Sequence, residues 1–288
     1  MAGVLTAGRA QRARGRGGHP EAWLLLAPAT PFLLLLFVAP IGYVLYLSVS
    51  DAQPSYEHYE RVFTVPLYLN VMWNTFITSL IVTVLCLALA YPVAFVMATR
   101  DDGWMLLLLT IVGISFWTGF LVRTYAWLVI LGNRGPVVAA MELIGITDPP
   151  QILFTSFSST LGLVHILLPY MVLALYSVMS KIDPNHMRAA FSLGARPLAA
   201  FRHVYLPLSM PGVVNGGVLV FTICLGFYVT PILLGTPRDM MISQLINQQI
   251  EELLAWGFAS ALAVVLLVFS AALLAAYNRY AGLDRLWG

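Results

Sequence analysis

The sequence is poor in charge. Only 10% of its 288 residues are Asp, Glu, Lys or Arg, while 60% are hydrophobic. Soluble globular domains carry about a quarter charged residues, so this balance excludes one and indicates a polytopic membrane protein. Lysine is nearly absent, with Lys181 the single one. No Gly-x-x-x-x-Gly-Lys-Ser/Thr run contains it, so the chain lacks the loop that cradles nucleotide phosphates. His-Glu-x-x-His and Gly-x-Ser-x-Gly are also missing, which leaves an intramembrane enzyme without a metal site or an activated nucleophile. The two cysteines, Cys86 and Cys224, fall inside apolar runs at no metal-binding spacing. They read as small core residues rather than a disulfide. Every Asp and Glu falls in a loop or a tail. Carriers driven by protons or sodium place ionisable residues near the bilayer midplane, so a driving-ion site is hard to build here. Ion-coupled secondary transport and a non-transporting scaffold stay as rival readings.

What is present is apolar length. Mean hydropathy is +0.84, and a membrane-spanning helix needs roughly 20 apolar residues. Six runs qualify, at about Trp23–Val49, Met72–Ala98, Trp104–Leu121 (extending towards Leu131), Thr160–Ser180, Val213–Leu234 and Ala255–Tyr277. The fold class is all-α, because a helix satisfies its backbone within one span and the runs lack the alternation of a barrel. Residues 1–22 form an Arg-, Gly- and Ala-rich tail, and 23–288 a transmembrane domain. The first apolar run is too long for a cleaved signal, and the tail is too short to suggest nucleic-acid binding. Its prolines, Pro28, Pro31 and Pro40, predict kinks. With the N-terminus inside, eleven of the fifteen Lys and Arg residues face the cytoplasm. Arg61, Arg123, Arg134 and Arg238 face outward. The asymmetry predicts both termini in the cytoplasm.

The longest polar segment between apolar runs is 181–212, KIDPNHMRAAFSLGARPLAAFRHVYLPLSMPG. It reads as a helical hairpin. Asp183 caps a first helix with Pro184 at its first position. Gly194 closes that helix in the left-handed region. Pro197 starts a second helix, which Pro207 and Pro211 are expected to end. Apolar Met187 and Phe191, then Leu198, Phe201 and Tyr205, recur at helical spacing.

Arg188-Ala189-Ala190, Leu193-Gly194-Ala195 and Tyr205-Leu206-Pro207-Leu208-Ser209-Met210-Pro211-Gly212 resemble the cytoplasmic "EAA" loop of binding-protein-dependent ABC importer permeases. Arg188 stands where the family pattern has Glu. The resemblance implies a six-helix permease whose loop seats a coupling helix in a groove of an ATP-binding subunit, through Asp183, Arg188, Ala189, Ala190, Leu193, Gly194, Ala195 and Pro207. It further implies a dimer of ATP-binding subunits carrying the ATP and Mg, a second and different permease chain, and a periplasmic binding protein. The chain itself would bind no cofactor or metal and catalyse nothing. Its place would be the bacterial inner membrane.

Two further stretches resemble the spermidine/putrescine-type permeases: Phe116-Trp117-Thr118 with Val122-Arg123-Thr124-Tyr125-Ala126-Trp127, and Leu225-Gly226-Phe227-Tyr228-Val229-Thr230-Pro231. They make Trp117, Arg123, Phe227, Tyr228, Thr230 and Pro231 candidates for the substrate pathway. The implied cargo is a polyamine, with another small organic solute, such as an amino acid derivative, as the alternative. Arg123 lies ~29 Å along a straight helix from Trp104, so it is expected at the outer interface, either snorkelling or at the pathway mouth. Pro231 cannot donate to the Phe227 carbonyl, which is tolerated at membrane depth where it faces a cavity. His165, alone in the fourth run, reads more readily as bonded to a neighbouring helix than as a substrate or proton site. The outer loop 51–69, with Tyr56, Tyr59 and Phe63, reads as an interfacial anchor or a docking surface.

Overall fold

The computed structural model describes residues 29–50, 56–100 and 103–281. The tail and the start of the first apolar run lie outside these. The described residues form helices and contain no strand. In chain order these are α1 (Ala29–Leu33), α2 (Ala39–Leu47), α3 (Glu57–Thr64), α4 (Pro66–Thr99), α5 (Gly103–Trp117), α6 (Phe120–Leu131) and α7 (Pro136–Leu143). Then come α8 (Ser156–Met179), α9 (Pro184–Ser192), α10 (Pro197–Ala200), α11 (Leu206–Leu225), α12 (Val229–Leu234), α13 (Ile242–Glu251) and α14 (Trp256–Ala281).

Among the described residues, four helices are long and apolar enough to cross a membrane: Pro66–Thr99, Ser156–Met179, Pro197–Leu225 and Trp256–Arg279. They correspond to the second, fourth, fifth and sixth predicted spans. The first predicted span contributes the shorter apolar stretch Pro31–Leu47. A π-helical turn at Leu34–Val38 precedes Pro40, the kind of local widening that lets a helix carry a proline.

The third and fifth spans differ from expectation. The third is broken after Trp117 and bends by 95° into α6 and α7. Gly119, with extended ψ of 141°, sits at the break as the cap of α6. The fifth begins earlier than predicted. Pro207 and Pro211 do not end a helix; it runs from Pro197 to Leu225. The π-turn at Phe201–Tyr205 lies immediately before Pro207 and re-pairs the backbone there. The same span then breaks at 226–228 and resumes as α12.

Three stripes of residues four apart hold the centre together. Leu163, Leu167, Met171 and Leu175 on α8 are completely buried. They meet Val82, Cys86, Ala90 and Ala94 on α4, also completely buried, and Gly212, Gly216, Val220 and Cys224 on α11. Spacing of four keeps each stripe on one helix face. Two of these faces are lined by small residues, which is how helices associate where lipid is as apolar as leucine: by close packing rather than by escape from water. A Cβ on Gly216 would sit 2.7 Å from Met171 Sδ, and one on Gly212 3.1 Å from Val178 Cβ. Both cysteines are buried free thiols in this core, as their sequence setting predicts.

Outside this centre, α3, α13 and the start of α14 share a second core around Val62, Leu245, Phe258 and Leu262. Arg61 lies over the Phe258 ring at 4.6 Å. The 57–64 segment is therefore a packed amphipathic helix. Tyr59 donates to Ser48 Oγ at 2.7 Å, while Tyr56 and Phe63 stay exposed.

Candidate functional site

Two regions carry the candidate residues. The first is the hairpin. Asp183 is the cap of α9, its carboxylate accepting from the Asn185 amide at 2.8 Å. Pro184 occupies the first turn, where a missing N–H costs nothing. At the other end Ala195 N–H donates to Ala190 O at 3.0 Å and Gly194 N–H to Phe191 O at 2.9 Å. This pair of bonds closes a helix through a left-handed residue, and Gly194 has φ of +83°.

The hairpin has an inner and an outer face. Ile182, Met187, Phe201 and Tyr205 pack inward on the central core. Phe95 of α4 meets Tyr205 at 4.9 Å and Phe201 at 5.8 Å between ring centroids. Tyr91, one turn earlier, shares a 2.8 Å hydrogen bond with Ser209. The hairpin is thus packed directly against α4 and α11. The outer face is apolar: Leu193 is 89% exposed and Leu198 78%. Leu198, expected on the same face as Phe201 and Tyr205, points outward instead. Ala189 is exposed and Ala190 half-buried. Arg188 is also exposed, its guanidinium 3.5 Å from Asn185 Oδ1 one turn back.

The second region is the junction of the two broken spans. Phe120, opening α6, meets Phe227 in the break of the fifth span edge to face at 5.8 Å. Thr124 and Thr230 share a 3.1 Å hydrogen bond between α6 and α12. Thr230 and Pro231 are buried, whereas Tyr228 is 39% and Trp117 88% exposed. Trp117 and Tyr228 therefore face outward at the breaks, Phe227 is half-buried, and the threonines tie the breaks together behind them.

Arg123 does not extend into solvent. It is buried, and Nη1 donates to His165 O at 3.4 Å and Ile166 O at 3.3 Å on α8. The straight-helix distance does not apply, because the 95° bend lies between Trp104 and Arg123 and turns α6 back against α8. The acceptor has a local origin. Pro169 sits inside α8, and lacking an N–H it leaves the His165 carbonyl without its donor four residues on. Trp127, one turn along α6 from Arg123, donates its indole N–H to His165 Nδ1 at 3.0 Å. An indole only donates, so Nδ1 is a lone-pair acceptor and the ring proton sits on Nε2. His165 is accordingly bonded to a neighbouring helix, as its isolation in the sequence suggests. Among the described residues no group of three His, Cys, Asp or Glu side chains is placed to hold a metal.

Residues 126–281 match the family described as the binding-protein-dependent transport system inner membrane component. The chain is 36% identical over 259 residues, 86% of its length and 90% of the relative's, to the spermidine/putrescine transport system permease protein PotB of Haemophilus influenzae. The chain belongs to this family of inner-membrane transport permeases. Its identity to PotB of Escherichia coli is 32%, over 89% of the permease and 93% of that protein. The fold agrees. A chain from the crystal structure of a bacterial alginate ABC transporter, in complex with an alginate pentasaccharide-bound periplasmic protein, superposes with a TM-score of 0.72 at 15% identity, over 91% of the permease and 94% of that chain. A chain of the inward-facing MetNI methionine ABC transporter superposes with a TM-score of 0.55 at 15% identity, over 73% and 93% respectively. The permease is thus a multi-pass inner-membrane protein of the ABC importer class, which works with an ATPase and a binding protein.

Sequence reasoning passed over three residues of the junction. Thr124 and Trp127 stand in the stretch that resembles the spermidine/putrescine-type permeases but are not singled out there, and Phe120 lies in the apolar run before it. Their signal was indirect: Gly119 interrupts the run, and the three recur at the helical spacing that faces α8 and α12.

Proposed function

We propose that this permease forms half of the translocation pathway of an ATP-driven polyamine importer, receiving cargo from a periplasmic binding protein. The observation that carries the cargo is the 36% identity across 86% of the chain to a relative named for spermidine and putrescine. The coupling hairpin is 181–212, with Asp183 and Gly194 fixing α9, and with Arg188, Ala189, Ala190, Leu193 and Ala195 presented to the ATP-binding subunit. Pro207 holds the π-turn that leads the hairpin into α11. ATP and Mg reside on the ATP-binding dimer, and this chain binds no cofactor. A second, related permease completes the pathway. Residues 23–288 act as one domain, and the Lys and Arg asymmetry supports cytoplasmic termini.

The pathway runs past the two breaks, with Trp117 and Tyr228 exposing aromatic faces, Phe227 half-buried against Phe120, and Thr230 and Pro231 shaping the turn behind them. Such faces attract an ammonium group by about 0.5–2 kcal/mol each. None of the four long apolar helices contains an Asp or Glu, so this subunit offers no carboxylate anchor within them. Selectivity then rests mainly with the binding protein.

The test is uptake of labelled spermidine into proteoliposomes holding the permease, its partner permease and the ATPase, with binding protein and cargo outside and ATP inside. ATP-dependent uptake, competed by putrescine and indifferent to proton or sodium gradients, is expected. Uptake driven by an ion gradient without ATP would establish secondary transport instead. ATP-dependent uptake of an amino acid derivative in place of spermidine would correct the cargo.

A further inference from the structure

The least expected group in the molecule is Arg123. It is a buried cation in an apolar span, and its neighbours do not explain it as a site for a cationic cargo. The contacts the structure gives it are the two α8 carbonyls, and its Nε is buried with no hydrogen-bond partner. A charged side chain within a membrane span is costly even on the mildest scale. Something in the fold must use it.

Three observations converge. First, Pro169 removes the donor to the His165 carbonyl, and Arg123 Nη1 supplies one. Second, Trp127 Nε1 binds the ring of that same His165, so consecutive turns of α6 grip one turn of α8. Third, the adjacent Thr124 carries the bond to Thr230 on α12. The turn Arg123–Trp127 therefore holds the bent third span against both the kinked fourth and the broken fifth.

We propose that Arg123 is a positioning residue for transport: a latch that fills the hydrogen-bonding gap left by Pro169 and fixes where the two broken spans meet. It touches no cargo. Its Nη1 bonds of 3.3 and 3.4 Å are long for a charged donor. This inference rests on the transport reading above, since it assigns the residue a task within that cycle.

The account makes the arginine and the proline a linked pair, which provides the test. R123M, P169A and the double variant are assembled with the partner subunits in proteoliposomes, and transport, ATP hydrolysis and the KM for binding-protein-delivered cargo are measured. R123M is expected to lower maximal transport tenfold or more, with KM within twofold of wild type. Adding P169A restores an N–H to the His165 carbonyl within α8 but no tie to α6, so the double variant is expected to recover the yield of intact complex while staying within twofold of R123M in maximal transport. R123K, a cation that reaches the carbonyls with poorer geometry, is expected to fall between wild type and R123M. A KM shift of fivefold or more in R123M, or a double variant that transports at least fivefold better than R123M, overturns the proposal. If R123M fails to assemble, the double variant is read alone: complex whose yield recovers with P169A but whose transport stays tenfold or more below wild type supports the latch, and any other result overturns it. The yield needs no cargo, so a wrong polyamine assignment, seen as wild-type protein that does not carry spermidine, is distinguished from a wrong latch.

Discussion

Gly162 lies on α8 beneath the short helix α12. A Cβ placed there would stand 2.7 Å from Leu234 Cδ1 and 2.8 Å from Thr230 Cγ2, against an ordinary van der Waals contact of 3.4–4 Å. Leu234 and Thr230 are both completely buried, so neither side chain can swing into open space. Overpacking of this kind costs about 1–3 kcal/mol. Replacing a helical glycine by alanine returns about 0.5–1 kcal/mol of backbone entropy. With two contacts in conflict the clash belongs near the top of its range, leaving Gly162→Ala destabilised by about 2 kcal/mol, a factor of roughly 30 in the folded ratio. Gly217→Ala is the control: its new Cβ would be 3.9 Å from Thr83 Cγ2, an easy contact, so the entropic gain stands alone and stability rises slightly. The assay is thermal exposure of thiols. Cys86 and Cys224 are the chain's two cysteines, both completely buried, and they label with a thiol-reactive dye as the core opens. The measurement uses the assembled transporter with cysteine-free partner subunits. Gly162→Ala should label at a lower temperature than wild type and Gly217→Ala at the same or a higher one. Equal labelling curves for the two variants would refute the reasoning that close approach of α12 to α8 fixes the fifth-span break.

Three other variants probe separate links. Asp183→Ala removes the cap of α9 and should cost about 1 kcal/mol, read as faster hydrogen exchange at the Asn185 amide; Asp183→Asn should exchange almost as wild type. Leu193→Asp, on a side chain 89% exposed, should leave the thiol-labelling temperature unchanged yet prevent co-purification of the ATP-binding subunit. Tyr277→Phe deletes the hydrogen bond from α14 to Asn215 on α11; bonds between membrane helices average about 0.6 kcal/mol, so a small but measurable drop in labelling temperature is expected.

The parts of this molecule legible in the sequence are those set by local chemistry. Asp183, Pro184 and Gly194 define α9 because a cap, a first-turn proline and a left-handed glycine each act within a few residues. The stripes on α4, α8 and α11 follow from helical periodicity alone. What escaped is what depends on other parts of the chain. Apolar character runs from Trp104 to Leu131 with Arg123 as its one charge, and an average over such a window is blind to backbone direction, so the bend at Gly119 is hidden. Once the bend is missed, Arg123 is placed by arithmetic at the outer interface rather than against α8, where it is buried. Its true partner, the His165 carbonyl, becomes available only through a proline on another helix. Pro207 and Pro211 misled for a related reason. A proline ends a helix when the carbonyl behind it cannot be accommodated, and the π-turn at Phe201–Tyr205 accommodates it. The prolines and glycines that mark these features were all visible, but pairing Pro169 with Arg123 needed the fold.

On the function proposed above, ATP-driven motion enters this permease through the 181–212 hairpin. Cysteine cross-linking tests it most directly. Leu193→Cys on α9 and Leu143→Cys at the end of α7 introduce thiols at side chains 89% and 88% exposed, on faces assigned to opposite sides of the membrane. In the assembled transporter, Leu193→Cys should cross-link to the ATP-binding subunit with a yield that changes on adding ATP, and Leu143→Cys should not. Cross-linking of Leu143→Cys to the ATP-binding subunit, or failure of Leu193→Cys to reach it in any nucleotide state, would contradict the account.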